Sequence, residues 1–229
     1  MRLFCRLIGT GRVWLMAVTA ALAVQGCSSN ALLRKQGVEQ YNSKDIALAD
    51  KRFGQAVEQD PTDWKSLFYL GRVRLEQGRW YDAQLLLEKA LELRHHGPET
   101  VDILDALAQA LNGRGRVGQL HTLLASAVED YGTSRDYARQ GRYLQKLGDI
   151  DGAQLAYRKA AYFAGGDDPA PFVALADFYD SIGDTDNAVV ALRHAYAVTP
   201  TDPQLQDRLR RHGIVPGPTS GIAPEKAKQ

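Results

Sequence analysis

The sequence has little of several features that would mark a functional class. It has two cysteines in 229 residues, Cys5 and Cys27, which excludes a fold held together by several disulfides. Its 28 basic and 27 acidic residues give a net charge of +1, which argues against a general nucleic-acid-binding protein. With 45% hydrophobic residues, 21 glycines and 9 prolines, the chain is neither collagen-like nor mostly disordered. These absences leave a packed globular protein or an array of smaller units.

The apolar run near the start is too short to cross a membrane. It extends from Val13 to Val24, whereas a transmembrane helix needs about 20 residues. Three arginines precede the run, which is the pattern of a signal peptide. It ends in Val24-Gln25-Gly26-Cys27, which resembles the lipobox of bacterial lipoproteins. The alternative interpretation is an ordinary signal peptide with a chance cysteine near its end.

The lipoprotein resemblance implies a processed and anchored chain. Residues 1–26 are then a cleaved signal peptide, Cys27 carries diacylglycerol and an acylated amino terminus, and residues 27–32 form a tether. Ser28 in place of aspartate implies export to the outer membrane, with the protein facing the periplasm. Removing three arginines and no acidic residue changes the net charge of the mature chain to −2.

Small residues recur at a nearly constant spacing through the rest of the chain. Pairs 34 residues apart include Gly37 with Gly71 and Ala49 with Ala83. Turn glycines recur in phase at positions 78, 115, 148 and 183, and alanines at 56, 90, 127, 160 and 195. The pattern resembles the tetratricopeptide repeat. The resemblance implies an all-α fold: an α-solenoid of about five tetratricopeptide helix pairs plus a C-terminal capping helix.

The repeat frame divides residues 33–202 into five repeats. We expect them at about 30–63, 64–97, 101–134, 134–167 and 169–202. The segment 203–214 predicts a polar capping helix, and the proline-rich segment 215–229 predicts a disordered tail. Asp149 and Asp184, which follow turn glycines, are typical of residues that start a helix.

The sequence contains no arrangement typical of catalysis. Five histidines lack metal-ligand spacing, and the GxGxxG pattern at Gly113–Gly118 lies between two predicted helices, not after a strand. No P-loop and no nucleophile elbow occur. We therefore expect no enzyme activity, no metal, no cofactor and no small-molecule substrate.

The resemblance implies instead a groove lined by the first helix of each repeat. The positions that face a partner in such proteins are Phe68, Tyr69 and Arg72 in the second repeat, Gln109 and Asn112 in the third, Arg135, Arg139, Arg142 and Lys146 in the fourth, and Asp177 and Asp180 in the fifth. The four basic residues of the fourth repeat step by four, three and four, so they share one helix face.

Two interpretations of these positions stay open at this point. The basic residues can form a wall that binds carboxylates of a partner, or they can be a solvated face balanced by nearby aspartates. Phe68 and Tyr69 can anchor a peptide or belong to the core between repeats.

The leading functional hypothesis is a non-enzymatic scaffold anchored to the membrane by its lipid. It would bind a peptide segment or a subunit of an envelope complex, and its build resembles pilotins and tight-adherence pilus lipoproteins. The alternative is an accessory scaffold of a polysaccharide-export or envelope-remodelling complex. Both hypotheses predict a protein partner and no nucleic acid.

Overall fold

The computed structural model describes residues 30–224 of the chain. The predicted signal peptide and the lipidation site Cys27 lie outside these residues, as do positions 225–229 of the tail. Within 30–224, no helix combines the length and the apolar character that crossing a membrane requires.

The described part of the chain is built from helices and connecting turns, with no strand between residues 30 and 224. The helices are α1 (30–42), α2 (Ile46–Gln59), α3 (Trp64–Glu76), α4 (Trp80–Leu93), α5 (Thr100–Gly113), α6 (Val117–Asp130), α7 (Ser134–Lys146), α8 (Ile150–Ala164), α9 (Ala170–Ser181), α10 (Thr185–Val198) and α11 (Pro203–Arg211). They follow one another as five successive pairs and a final single helix. The predicted all-α solenoid of helix pairs is confirmed.

The chain divides into two compact units, Met1–Val117 and Gly118–Gln229, referred to below as unit 1 and unit 2. In unit 1, α3 packs against both α2 and α4, and α4 packs against α5. In unit 2, α7 packs on α8, α8 on α9, α9 on α10, and α10 on α11.

Aspartates define where many of the helices begin. Each accepts a hydrogen bond from a backbone N–H of the first turn, which would otherwise have no partner. They are Asp45, Asp63, Asp149, Asp184 and Asp202. The caps formed by Asp149 and Asp184 confirm the helix starts predicted at these two positions.

Glycine allows the paired helices to approach each other closely. A Cβ added at Gly71 would lie 2.7 Å from Cγ of Leu87, and one added at Gly141 would lie 2.9 Å from Cγ of Tyr157. These glycines therefore fix the separation of α3 from α4 and of α7 from α8. The turn glycines at 78, 115, 148 and 183 all have a left-handed backbone, with φ between 65° and 84°.

The segment after α11 differs from its prediction. Residues 215–224 form no helix, but they are not a detached tail, because Ile222 donates a backbone hydrogen bond to the carbonyl of Arg193 in α10. The disorder predicted for 215–229 is therefore wrong for 215–224. Composition misled the prediction because the bonds that hold this segment use mainly backbone groups.

Candidate partner-binding face

The two aromatic residues of the second repeat contribute mainly to packing. Tyr69 stacks on Phe53 of α2, with ring centroids 5.2 Å apart and planes 6° from parallel. Phe68 is only 9% exposed and lies beneath the guanidinium of Arg72, 5.7 Å from its central carbon. Of the two interpretations, the core between repeats fits both rings better than a peptide anchor.

Arg72 is half-buried between aromatic rings on the same surface. Its guanidinium carbon lies 5.0 Å from the centroid of the Tyr41 ring, and the Tyr41 hydroxyl donates a hydrogen bond of 3.0 Å to Glu76. Burial raises the pKa of Tyr41; nearby Arg72 opposes the rise, and the bond to Glu76 adds to it. These contacts orient Arg72 but leave part of it accessible.

Gln109 and Asn112 are both exposed on α5. Their spacing of three places them on one face of that helix, so their amides can bind a partner from the same side. They belong to unit 1, whereas the four basic residues of the fourth repeat belong to unit 2.

The basic residues of α7 do not form a single exposed face. Arg135, Arg142 and Lys146 keep part of their surface accessible, but Arg139 is 1% exposed and donates a hydrogen bond of 2.9 Å to Asp136. The prediction that Arg139 contacts a partner is wrong. A buried carboxylate needs a compensating charge, and Arg139, three residues further along, lies on the face that can supply it.

Asp136 takes part in the cap at the start of α7. Its carboxylate accepts hydrogen bonds from the backbone N–H and the hydroxyl of Thr133, while the Thr133 hydroxyl accepts one from the Asp136 N–H. This reciprocal capping box fixes Asp136, and through it Arg139, at the start of the helix.

At the other end of α7, Arg142 and Lys146 both lie close to one aromatic ring, that of Tyr143. The Lys146 ammonium is 5.1 Å and the Arg142 guanidinium 5.7 Å from the centroid of the Tyr143 ring. Gln145 accepts a hydrogen bond from the Tyr157 hydroxyl and donates one to Ser181, which ties α7 to α8 and α9. The two cations therefore lie at an end of α7 that hydrogen bonds hold to the neighbouring helices.

An acidic row on α9 and a basic row on α11 lie against each other. Nη2 of Arg208 is 2.7 Å from Asp177 and 3.2 Å from Asp180, and the ring of His212 is 3.5 Å from Asp180. Together with Arg211, these residues line an open cleft of about 560 Å³. Because the Asp177 side chain is 62% exposed, it remains accessible to a partner.

Arg142 of α7 and Asp177 of α9 both lie near one buried hydroxyl group, that of Tyr157. Burial raises the pKa of Tyr157, Arg142 lowers it, and Asp177 raises it, so this tyrosine lies within electrostatic reach of both rows. The first helices of the fourth and fifth repeats and α11 thus present basic, acidic and basic rows. We call this surface the charged face; it comprises Arg142, Lys146, Asp177, Asp180, Arg208, Arg211 and His212.

From its sequence, α11 is predicted only as a polar capping helix, and its contribution to the charged face is not predicted. The sequence does contain a signal for this contribution. Arg211 and His212 follow Arg208 by three and four residues, a spacing that places all three side chains on one face of a helix. Leu205 and Leu209, which are 3% and 0% exposed, bury the opposite side of the helix in unit 2.

The described residues hold no metal-binding cluster of histidine, cysteine and carboxylate side chains. The GxGxxG pattern spans the end of α5 and the start of α6, as expected of a turn between helices.

Comparisons with known sequences agree with the helical architecture. Two segments match models described as tetratricopeptide repeat, over residues 53–85 and 171–202. The chain is 27% identical over 156 residues to cellulose synthase operon protein C of Xanthomonas axonopodis pv. citri (strain 306). That similarity covers 66% of this chain but 10% of the relative, so the chain spans about a tenth of that protein's length.

Solved structures are similar in fold. A thermophilic TPR protein of Thermus thermophilus superposes with a TM-score of 0.59 and 22% identity, covering 80% of this chain and 98% of that one. The pilF protein of Pseudomonas aeruginosa gives a TM-score of 0.59 with 16% identity, covering 82% and 85%. The MamA protein gives 0.56 with 18% identity, covering 83% and 98%. The chain is thus an α-solenoid that carries tetratricopeptide repeats.

Proposed function

We propose that this protein is a scaffold that binds a segment of an envelope protein on the charged face. The observation that carries the proposal is the alternation of basic, acidic and basic rows on α7, α9 and α11. Such alternation selects a partner with the complementary order of charges, since like charges brought together cost several kcal/mol. An acidic side chain of the partner meets Arg142 or Lys146, and a basic one meets Asp177.

The proposal includes a lipid anchor in the cell envelope. The arginines, the apolar run and Cys27 stand in the order that lipoprotein processing requires. Several acyl chains would hold the protein stably at a membrane, and Ser28 favours the outer membrane, facing the periplasm. The anchor would keep the charged face close to membrane-embedded partners.

Two kinds of envelope machine fit such a scaffold. The combination of a lipobox and helical repeats supports a role in the assembly of a pilus or secretion machine. The similarity to cellulose synthase operon protein C favours, as a second candidate, an accessory scaffold of a polysaccharide-export or envelope-remodelling complex. In both cases the protein positions other proteins and performs no chemistry itself.

Site-specific crosslinking in intact cells tests the proposal. A photo-reactive amino acid is placed at Arg142 or at Arg211, and at the exposed Asp151 of α8 as a control. We expect the same envelope protein to be captured from the first two positions and not from the control. The identity of that protein separates the two candidates. Capture that is equal at all three positions, or absent at all of them, would overturn the proposal.

A further inference from the structure

Residues 220–222 contact α10 and are held there by three hydrogen bonds. The Arg193 side chain donates from Nε to the carbonyl of Ser220 at 2.7 Å, and its backbone carbonyl accepts from the Ile222 N–H at 3.1 Å. Nδ1 of His194 lies 2.9 Å from the carbonyl of Ile222. The receptor groups therefore bind backbone atoms of the segment, which follows a turn closed by a 3.0 Å hydrogen bond from the Ser220 N–H to the carbonyl of Gly217.

The contact at the centre of this segment depends on two small residues. A Cβ added at Gly221 would lie 3.0 Å from both Cα and Cβ of Ala197. Since the Cα belongs to the α10 backbone, it cannot yield as a flexible side chain would. A glycine in the segment and an alanine on the helix are what allow the two backbones to meet.

The contacts continue beyond α10 towards the start of α9. The ring of His194 packs against Phe172 of α9, with centroids 5.6 Å apart. Pro224 lies beside Gly166 in the turn before α9, with its Cγ 3.6 Å from the position of an added Cβ. The tail thus contacts α10 and the turn before α9, while His194 beneath it packs on α9.

The same positions in the preceding repeat cannot form this surface. The residues 35 positions earlier are Arg158, Lys159 and Tyr162 on α8. Tyr162 is 41% exposed, so an aromatic ring occupies the place where Ala197 leaves room for a backbone. An arginine at the position of Arg193 is therefore not sufficient to hold such a segment. The small residue Ala197, one helical turn later, is also required.

We propose that Arg193, His194 and Ala197 form a second peptide-binding site, whose ligand is a segment of the type serine–glycine–aliphatic that follows a tight turn. In the structure the ligand is the chain's own Ser220, Gly221 and Ile222. We call this surface the tail site; it shares no residue with the charged face. Because the tail is tethered close to its site, its effective concentration is in the millimolar range, and an external segment binds only after the tail leaves.

Two variants of the full chain separate ligand from receptor. Gly221→Val adds a side chain to the tail, which pushes it off α10 but leaves the tail site intact. Ala197→Leu instead fills the tail site itself. The probe is a fluorescent peptide with the sequence of residues 215–224, and the exchange rate of the Ile222 amide proton reports whether the tail is bound.

We expect the peptide to bind Gly221→Val at least tenfold more tightly than the natural chain, and Ala197→Leu not at all. The Ile222 amide should exchange at least tenfold faster in both variants than in the natural chain. Arg193→Ala, introduced into Gly221→Val, adds no volume and should weaken peptide binding about tenfold, so the receptor is also tested without overpacking.

Three results would overturn the proposal. One is rapid exchange of the Ile222 amide in the natural chain, because the tail would then not be bound. Another is slow exchange in Gly221→Val, because the close contact with Ala197 would not be needed. The third is failure of the peptide to bind Gly221→Val after the tail has left. None of these bears on the charged face, whose crosslinking is tested separately.

Discussion

Arg139 and Asp136 form an ion pair of 2.9 Å with side chains that are 1% and 0% exposed. Both charges lie on the first two turns of α7, and the capping box holds the acid in place. A pair buried to this extent stabilises the fold only while both members are present, because either charge alone would be buried without compensation. Arg139 therefore belongs to the buried architecture of unit 2 and not to its accessible surface.

Replacing Arg139 by alanine should lower the free energy of unfolding by about 3–5 kcal/mol. The matched control is Arg142→Ala on the accessible face of the same helix, for which we expect a change within about 0.5 kcal/mol. Urea denaturation followed by circular dichroism measures both. Equal losses of stability in the two variants would contradict the structural role assigned to Arg139.

Gly141→Ala and Gly54→Ala should have opposite effects. An added methyl group at Gly141 meets the Tyr157 ring at 2.9 Å, whereas one at Gly54 in α2 has nothing within 4 Å. The first change should lower the free energy of unfolding by about 1–3 kcal/mol through overpacking. The second should raise it by about 0.5–1 kcal/mol, because alanine is the better helix former. Stabilisation of the protein by both changes would refute the close approach of α7 and α8.

Asp63 should make the stability of unit 1 dependent on pH. Burial alone would raise the pKa of Asp63, but hydrogen bonds from Ser66, Arg34 and the Lys65 N–H outweigh it and leave the pKa below its ordinary value. Its contribution to stability is thus present above the unfolded-state pKa of about 3.9 and is lost as the pH falls through the folded-state value.

The variant Asp63→Asn retains a side chain that can cap α3 while removing the charge. We expect it to be less stable than the natural chain at pH 6, with the difference shrinking as the pH falls below about 4. Thermal denaturation at pH 6 and at pH 3 measures it. A difference that is the same at both values would show that the charge of Asp63 contributes nothing.

Reversing charge on the charged face should weaken binding of the partner captured by crosslinking. Arg142→Glu with Lys146→Glu is expected to raise the dissociation constant about tenfold or more at low salt and less at high salt. Arg158→Glu with Lys159→Glu on α8 is the charge-matched control. Binding and helicity are measured for both; equal weakening would mean that only net charge matters.

Cys27→Ser should abolish the proposed anchor. We expect a variant that no longer takes up labelled palmitate and that is recovered from the soluble fraction or as uncleaved precursor. Metabolic labelling followed by fractionation measures both properties. The change Cys5→Ser is the control and should leave labelling unchanged. Incorporation of palmitate into Cys27→Ser would refute the lipobox assignment.

The sequence was sufficient to predict the helices because the signals that define them are local. A turn glycine such as Gly148 and the aspartate that follows it are the end of one helix and the start of the next, and the structure has both. The repeat spacing also predicted which helices pair. Small residues such as Gly71 recur at that spacing because each lies where a neighbouring helix comes close.

The sequence could not reveal which charges are buried. The sequence shows four basic residues on one face of α7 and does not distinguish them. Arg139 differs from Arg142 in having Asp136 three residues earlier, with which it forms a buried ion pair. The spacing of Thr133 and Asp136 does predict a capping box, but it does not show that the Asp136 side chain is buried. The binding of the tail escaped prediction for a related reason, since backbone carbonyls have no sequence signature.

The terminal helix α11 combines two duties in nine residues. Leu205 and Leu209 are buried against unit 2, while Arg208 forms ion pairs with both Asp177 and Asp180. Exchanging α11 for a generic polar end-helix would therefore preserve solubility. It would also leave Asp177 and Asp180 without their ion pairs to Arg208 and remove one wall of the cleft. Any redesign of this helix for stability would therefore also alter the charged face, because the same nine residues contribute to both.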